Sequence, residues 1–489
     1  MTPGNDRCSF LYSHLLLSLA ISPILIALAA CSGAAGSLPR STTAVTVLAT
    51  STADDRLTQF TMAFSGLSLI SSTGKEVPII TSPIYTEFIH LNGAEEPLLT
   101  VNIPSGTYTS AKASVGFSTL YCIAVAQQGG LDGLSWSSGN VKSDKVSITL
   151  PHPIQVSGGS TAIQLNLLVG PSSSNGVCDI ESTHSGVAPS FMLTEVTTDS
   201  TRNISNLQGV VQSINDDGSF TVSSIDGANL SYDGSSGAAV TALPPQWQVS
   251  PAAGAVFQGI HGVSDLQAGQ PVDMDVTLQN GLLAAKRVSV YDTNAGHLSL
   301  FSGPLLTSNS VNQPVIAWAR GAIGAPHYFG MTPFSVAGAK FGISSAFTNL
   351  AELPFSAKFD VSSFTWGQAV DVTTHQSLFL NQYLPVTTVT LVPQTINGAV
   401  QAVSTNGSFT EYTVSLASYD LFPQLALQWG QSGHLDSPAI ITVYADQNTQ
   451  SQTAVPIAAG GIYRFNGLIF NDNGMLRMDC ARISDGVID

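Results

Sequence analysis

Charge is scarce in this 489-residue chain: Asp, Glu, Lys and Arg make up only 10% of it, against 44% apolar residues. That balance excludes a charged, low-complexity disordered chain. Basic residues are the scarcer sign, 16 Lys and Arg against 32 Asp and Glu, for a net charge of −16. A nucleic-acid partner is excluded on that ground, because neutralising phosphates needs a basic surface. Of the five cysteines, Cys8 and Cys31 lie in the leader, and the other three, Cys122, Cys178 and Cys480, are dispersed with no nearby histidine pair, so no zinc site is expected. Phosphate loops and dinucleotide fingerprints are missing, and no motif asks for a cofactor. Beyond the first thirty residues no stretch has eighteen uninterrupted apolar residues, which excludes a later membrane-spanning helix.

The leader itself is informative. Arg7 precedes an apolar run from Leu15 to Ala30, which is short for a span and contains Pro23. It ends in Leu28-Ala29-Ala30-Cys31, which resembles the lipobox of bacterial lipoproteins. The resemblance implies a signal peptide over 1–30, cleavage before Cys31 and a diacylglycerol on its thiol, usually joined by a third acyl chain. Two or more chains anchor a protein stably, at about 0.8 kcal/mol per buried methylene. The expected membrane partner is therefore reached through the lipid on Cys31, with residues 31–43 as a Ser-, Gly- and Ala-rich tether. Ser32 after the lipidated cysteine implies, by the same resemblance, the outer membrane, with the chain facing the periplasm or the surface. The alternatives are an ordinary cleaved signal peptide and an uncleaved anchor. In an oxidising envelope Cys122 and Cys178 are candidates for a disulfide; the alternative is two unpaired thiols. Cys480 sits in an apparent C-terminal strand and is expected to be buried and free.

The remaining pattern is β throughout. Short runs rich in Val, Ile, Thr, Phe and Leu are punctuated by Gly, Asn, Asp and Pro. Ala337–Leu353 is one stretch that could hold a short helix, against its β-branched and aromatic content. An internal repeat dominates the second half. Leu207-Gln208-Gly209-Val210-Val211-Gln212 recurs as Ile396-Asn397-Gly398-Ala399-Val400-Gln401, and the turn glycines Gly218 and Gly407 follow at equal spacing. Gly269-Gln270-Pro271-Val272-Asp273 recurs as Gly367-Gln368-Ala369-Val370-Asp371. A third, divergent unit is implied between the outer copies, opening near Leu298–Leu306. The expected architecture is all-β: an N-terminal β-sandwich over 44–200, then about three small β-barrel repeats of the OB- or SH3-like size over 205–295, 296–395 and 396–489.

Two stretches of the N-terminal domain read as hairpins: Ile103-Pro104-Ser105-Gly106-Thr107-Tyr108, and Ile154 to Thr161 running into the alternating Ile163-Gln164-Leu165-Asn166-Leu167. On the lipobox and these segments, the N-terminal region resembles a bacterial lipoprotein domain of unknown function with an Ile/Leu-Pro-x-Gly-x-Tyr hairpin and a later Val-x-Gly-Gly hairpin. The repeats resemble a second family of unknown function, a small β-barrel found in tandem, on Gly209-Val210-Val211 and on Gly269 to Val272, with a departure at Met274. The resemblance implies a sandwich plus barrels and an envelope location, and no known reaction.

Candidate chemistry is sparse. The histidines after the leader, His90 among them, are scattered and read as surface or turn residues. Gly430-Gln431-Ser432-Gly433-His434 lacks the following helix that a nucleophile elbow needs, so it reads as a polar loop. Asn215-Asp216-Asp217-Gly218 and Asn471-Asp472-Asn473-Gly474 read as tight turns rather than calcium loops. Trp136, in a Gly- and Ser-rich stretch, is the candidate glycan contact, whereas Trp318 and Trp366 read as core. The expected role is a lipid-anchored, non-catalytic structural or binding protein of the cell envelope with an envelope protein or glycan as partner. The alternatives are a glycan-binding surface protein and a hydrolase of envelope polymers.

Overall fold

The protein is described here by a computed structural model over residues 42–52, 57–125, 134–140, 146–158, 160–168, 190–196, 202–226, 230–233, 239–279, 281–291, 298–306, 314–318, 320–322, 330–375, 383–417, 420–428 and 439–486. The chain is all-β, and among the described residues it forms several sheets and two closed five-stranded barrels.

Two sheets face each other in the N-terminal region. One runs in the order Glu96–Pro104, Thr42–Ser51, Ser160–Leu168, Ser190–Val196, Ser147–Thr149. The other is built on the long pair Leu57–Ser71 and Gly106–Val125. The alternation in Ile163, Leu165 and Leu167 turns three apolar side chains into the shared core, where Phe64, Phe88 and Phe191 meet with ring centroids 5.4–6.1 Å apart. The opposite face of the first sheet is also covered, because Leu48 and Ala162 pack with the core of the first barrel.

The two segments read as hairpins are corners between these sheets instead. Glu96–Pro104 pairs with Thr42–Ser51, while Gly106–Val125 pairs with Leu57–Ser71 in the other sheet. Ile154–Val156 pairs with Gly106–Val125, while Ser160–Leu168 returns to the first sheet. Tyr108 is buried and its hydroxyl donates to the Pro104 carbonyl at 2.6 Å, closing the first corner on itself. The Thr43 hydroxyl bonds Ser105 Oγ at 2.9 Å and donates to the Gly158 carbonyl at 3.2 Å, tying the two corners together.

Downstream, Arg202–Ile214, Phe220–Ser224, Gln246–Gln258, Leu282–Val290 and Pro271–Gln279 close the first barrel. Gln394–Asn406, Phe409–Leu416, Ile440–Gln452, Met475–Asp485 and Ile462–Asp472 close the other in the same strand order. In both, the third strand pairs antiparallel with the second and parallel with the fifth. Between them, the strands from Ser299 to Leu391 follow this path but form an open sheet. The third strand is broken there into Gly330–Ser335 and Lys340–Ile343 by a turn at Val336–Ala339, in which Gly338 has φ +81°. Each half keeps its own partner, so the ring is opened at the turn.

One backbone device recurs in all three segments. The amides of Gly269, Gly367 and Gly460 donate to the carbonyls of Val211, Leu305 and Val400, and the same three residues donate back to Gln270, Gln368 and Gly461. The three glycines share φ values of +86° to +90°, a conformation that side chains resist. This register makes Gly303 the middle counterpart of Gly209 and Gly398.

Ala337–Leu353 holds the short strand Lys340–Ile343 and a single 3₁₀ turn, Leu350–Glu352. The α-helix among the described residues is Leu421–Gln428; Pro423 is accommodated in its first turn, where an amide hydrogen would have no helical partner.

Candidate functional site

Glu87 to Glu96 leaves the sandwich core at Phe88 and meets all three downstream segments. Phe88 is fully buried, which fixes its neighbours at the core's rim. The turn is held by Leu91 N–H to Phe88 O (3.1 Å) and Asn92 N–H to Ile89 O (3.0 Å). Gly93, at φ +67°, lies against Thr395: a Cβ there would stand 3.1 Å from the threonine side chain.

Glu87 is buried and accepts from the amides of Phe60 (2.8 Å), Ile89 (2.8 Å) and His90 (3.0 Å), and from His90 Nδ1 (2.8 Å). Burial pushes its carboxyl up, but the bonds from His90 and the amides outweigh that and hold it below the ordinary value. His90 Nε2 makes an ion-pair contact with Glu96 Oε1 at 3.2 Å. Its geometry falls short of a hydrogen bond to Glu96. Burial and Arg320 both push the imidazole down; Glu96 and Glu87 win and raise it to about 9.

Arg320 carries the network across segments. It donates to Glu96 Oε1 at 3.1 Å and to Asp226 Oδ1 at 2.7 Å. Asp226 also accepts from Thr86 Oγ1 (2.7 Å) and the Glu87 amide (3.1 Å). Glu95 pairs with Arg202 of the first barrel and lies 3.8 Å from Arg482 of the second. Thr395 bonds the Asn92 carbonyl. A second buried cluster joins the first barrel to the middle sheet. Gln208 Nε2 and the Tyr291 hydroxyl both donate to Asp371 Oδ2, and Arg287 bridges Asp273, Asp275 and Ser345. Burial, reinforced by Asp275 and Asp371 against Arg287, raises Asp273 to about 7.

A cavity of about 240 Å³ opens at this junction. Its lining includes the polar Glu87, His90, Glu96, Asn206 and Arg320 and the apolar Ile89, Phe347, Val392, Leu421 and Phe422. Both ring nitrogens of His90 face carboxylates, so it is not aimed at a serine as a triad base would be.

The sequence-derived candidates lie elsewhere. Cys31 and Cys178 fall outside the described residues, as does the Gly430–His434 loop. Cys122 and Trp136 stand on paired strands, opposite Leu57 and Ser137 and opposite Ile123 respectively, and their side chains are outside the description. Cys480 is buried and free, and Trp366 is buried. His152, His261 and His375 are exposed, and His90 lies in the turn Ile89–Leu91, where it is mostly buried. The acidic turns use their own oxygens: Asp217 accepts from the Ser219 amide and hydroxyl, and Asn471 from the Gly474 amide. Sequence reasoning missed the Glu87–Glu96 stretch. Its signal was three glutamates and a histidine within ten residues of a chain poor in charge.

Compared with known proteins, the chain matches no family model and no curated protein sequence.

Proposed function

We infer that this chain is a lipid-anchored protein of the bacterial cell envelope with a non-catalytic binding role, taking its ligand at the junction of the sandwich with the three downstream segments. The observation that carries the binding role is the cavity itself, formed where four parts of the chain converge on one buried network. The same network argues against a hydrolase, since the buried acids and His90 are engaged with one another rather than with a nucleophile. The anchor rests on the Leu28–Cys31 lipobox and on the resemblance to lipoproteins of unknown function. Among the described residues no helix is long and apolar enough to cross a membrane. Mass spectrometry of the protein from its native membrane tests the anchor: a diacylglycerol thioether on Cys31 at the new N-terminus is expected, and an unmodified or absent Cys31 overturns it. Protease treatment of intact cells then assigns the facing side, surface if the chain is lost before lysis and periplasm if only afterwards.

A further inference from the structure

We propose that the buried contact between the first barrel and the middle segment is a proton-dependent latch, in which Asp273 and Asp371 together hold one proton and the contact loosens when it leaves. The two aspartates end the repeated motif Gly269 to Asp273 and Gly367 to Asp371, and the fold brings both copies to one interface. Gln208 stands opposite Asp273 in the barrel's ladder, and its Nε2 donates to Asp371 Oδ2, as does the Tyr291 hydroxyl. Val210, Ile225, Tyr291 and Leu300 pack together at the same interface, and the Gly321 amide donates to the Ile225 carbonyl at 3.1 Å. Gln208, Ser302 and Arg320 also line the junction cavity, but the latch does not depend on what that cavity binds.

Negative charge is in excess here. Asp273, Asp275 and Asp371 meet one guanidinium of their own, Arg287, which bonds Asp273 and Asp275. Arg320 also acts on Asp371, but it is bonded to Glu96 and Asp226, and Glu96 and Glu87 flank His90 beyond it. Surplus charge in so buried a site is relieved by binding protons. The oxygens without partners locate the proton. Asp273 Oδ2 is taken by Arg287, and Asp371 Oδ2 by Gln208 and Tyr291, whereas Oδ1 of each is sealed from water and has no hydrogen-bond partner. An ionised carboxylate with such an oxygen is costly to bury. One proton between the two Oδ1 atoms serves both and leaves the pair a single charge, as in coupled acid dyads. The direction of titration agrees. Burial raises Asp273 to about 7, with Asp275 and Asp371 adding to it against Arg287. Burial also raises Asp371, against Tyr291, Ser302, Arg320 and Gln208. A carboxyl raised on folding stabilises the contact fully below its ordinary value of about 4, and that contribution is lost as pH rises through 7.

The test follows hydrogen exchange of the Gly321 amide in the full chain at about pH 6 and about pH 8.5, corrected for the intrinsic exchange rate at each. Wild-type protection should fall about tenfold or more between them. In Asp371→Asn the side-chain amide stands in for the shared proton: its oxygen accepts from Gln208 and Tyr291, and its Nδ2 donates toward Asp273. Protection should match that of the wild type at the lower pH and stay there at the higher one. Asp273→Asn, whose oxygen still accepts from Arg287, repeats the test from the other side of the contact. Both variants leave Asp479 and His90 to titrate as before, so the difference from wild type belongs to the pair. The infrared carboxylic-acid band at the lower pH should shrink equally in each variant, because either asparagine leaves the other aspartate ionised. Four results would each overturn the latch: wild-type protection that does not fall, a fall of wild-type size in either variant, a contact already loose at the lower pH in both, or an acid band that neither variant reduces.

Discussion

Asp479 lies on the strand Met475–Asp485 between Met478 and Cys480, which point into the second barrel's core. Its own side chain takes the other face, opposite Tyr444 and Leu468, which pack against residues of the middle segment. It is buried and its Oδ2 has no partner, and burial, with Asp446 nearby, raises its carboxyl to about 7. A carboxyl raised on folding stabilises the fold below its unfolded value, and that contribution is lost as pH rises through 7. Asp479→Asn should therefore be more stabilising at pH 8 than at pH 5, by on the order of 1–2 kcal/mol, measured by urea unfolding at both pH values. An equal effect at both would mean that the charge is not what matters. His90 gives a second alkaline loss. Raised to about 9 against an ordinary 6.5, it contributes in full below 6.5 and loses that contribution as pH rises through 9. The thermal midpoint of the wild type should fall between pH 7.5 and roughly 10 more steeply than that of His90→Gln, which keeps a donor toward Glu87 without a titrating charge.

The opening strands of the two barrels cross their second strands at a glycine, and the reason is steric. A Cβ on Gly209 would lie 2.2 Å from Val222 Cγ1 and 2.6 Å from the Ser223 carbonyl; on Gly398, 2.5 Å from the Ser415 carbonyl and 2.7 Å from Val414 Cγ1. Valine can turn, but a carbonyl held in a ladder cannot, so Gly209→Ala and Gly398→Ala should each cost about 1–3 kcal/mol. Thermal unfolding of either variant at wild-type midpoint would show that the strands have room to part. These glycines were legible in the sequence because each is flanked by residues that recur at fixed spacing. Gly303 was not, because Pro304 breaks the motif where Val210 and Ala399 stand, and only the shared bond pair reveals its place. The corners at Ser105 and Gly158 were misread for a different reason. A Pro-Ser-Gly turn sets the local backbone, not the strand that the chain pairs with next, and two nearby sheets offered a choice that local sequence does not encode.

The assembly of these pieces is the least legible part, because it is held by pairs remote along the chain. Arg320 and Glu96 are separated by 224 residues, and Thr395 and Asn92 by 303. Alternation and turn chemistry announce strands, and hence the all-β class, but a single Arg opening the three-residue strand Arg320–Ala322 announces no partner. The strength of that remote pairing can be argued from the burial of its members. Arg320 has only 5% of its side chain exposed, Glu96 7% and Asp226 none. Burial alone would favour loss of the guanidinium's proton, yet Glu96 and Asp226 raise its pKa above the ordinary value. Removing the cation leaves two carboxylates buried in a site with His90 as the remaining neighbouring cation. Arg320→Met keeps much of the volume and should destabilise the protein by about 3–5 kcal/mol, the usual cost of stranding buried charge. The loss should also be local in its first sign. The Glu87 amide bonds Asp226, and the Ile89 and His90 amides bond Glu87, so their hydrogen exchange should quicken before that of the barrel strands. Replacing Glu96 by Gln and Asp226 by Asn in the same variant removes the stranded charges and should restore most of the stability. A triple variant no more stable than Arg320→Met would show that the junction depends on the shape of the arginine rather than on its charge.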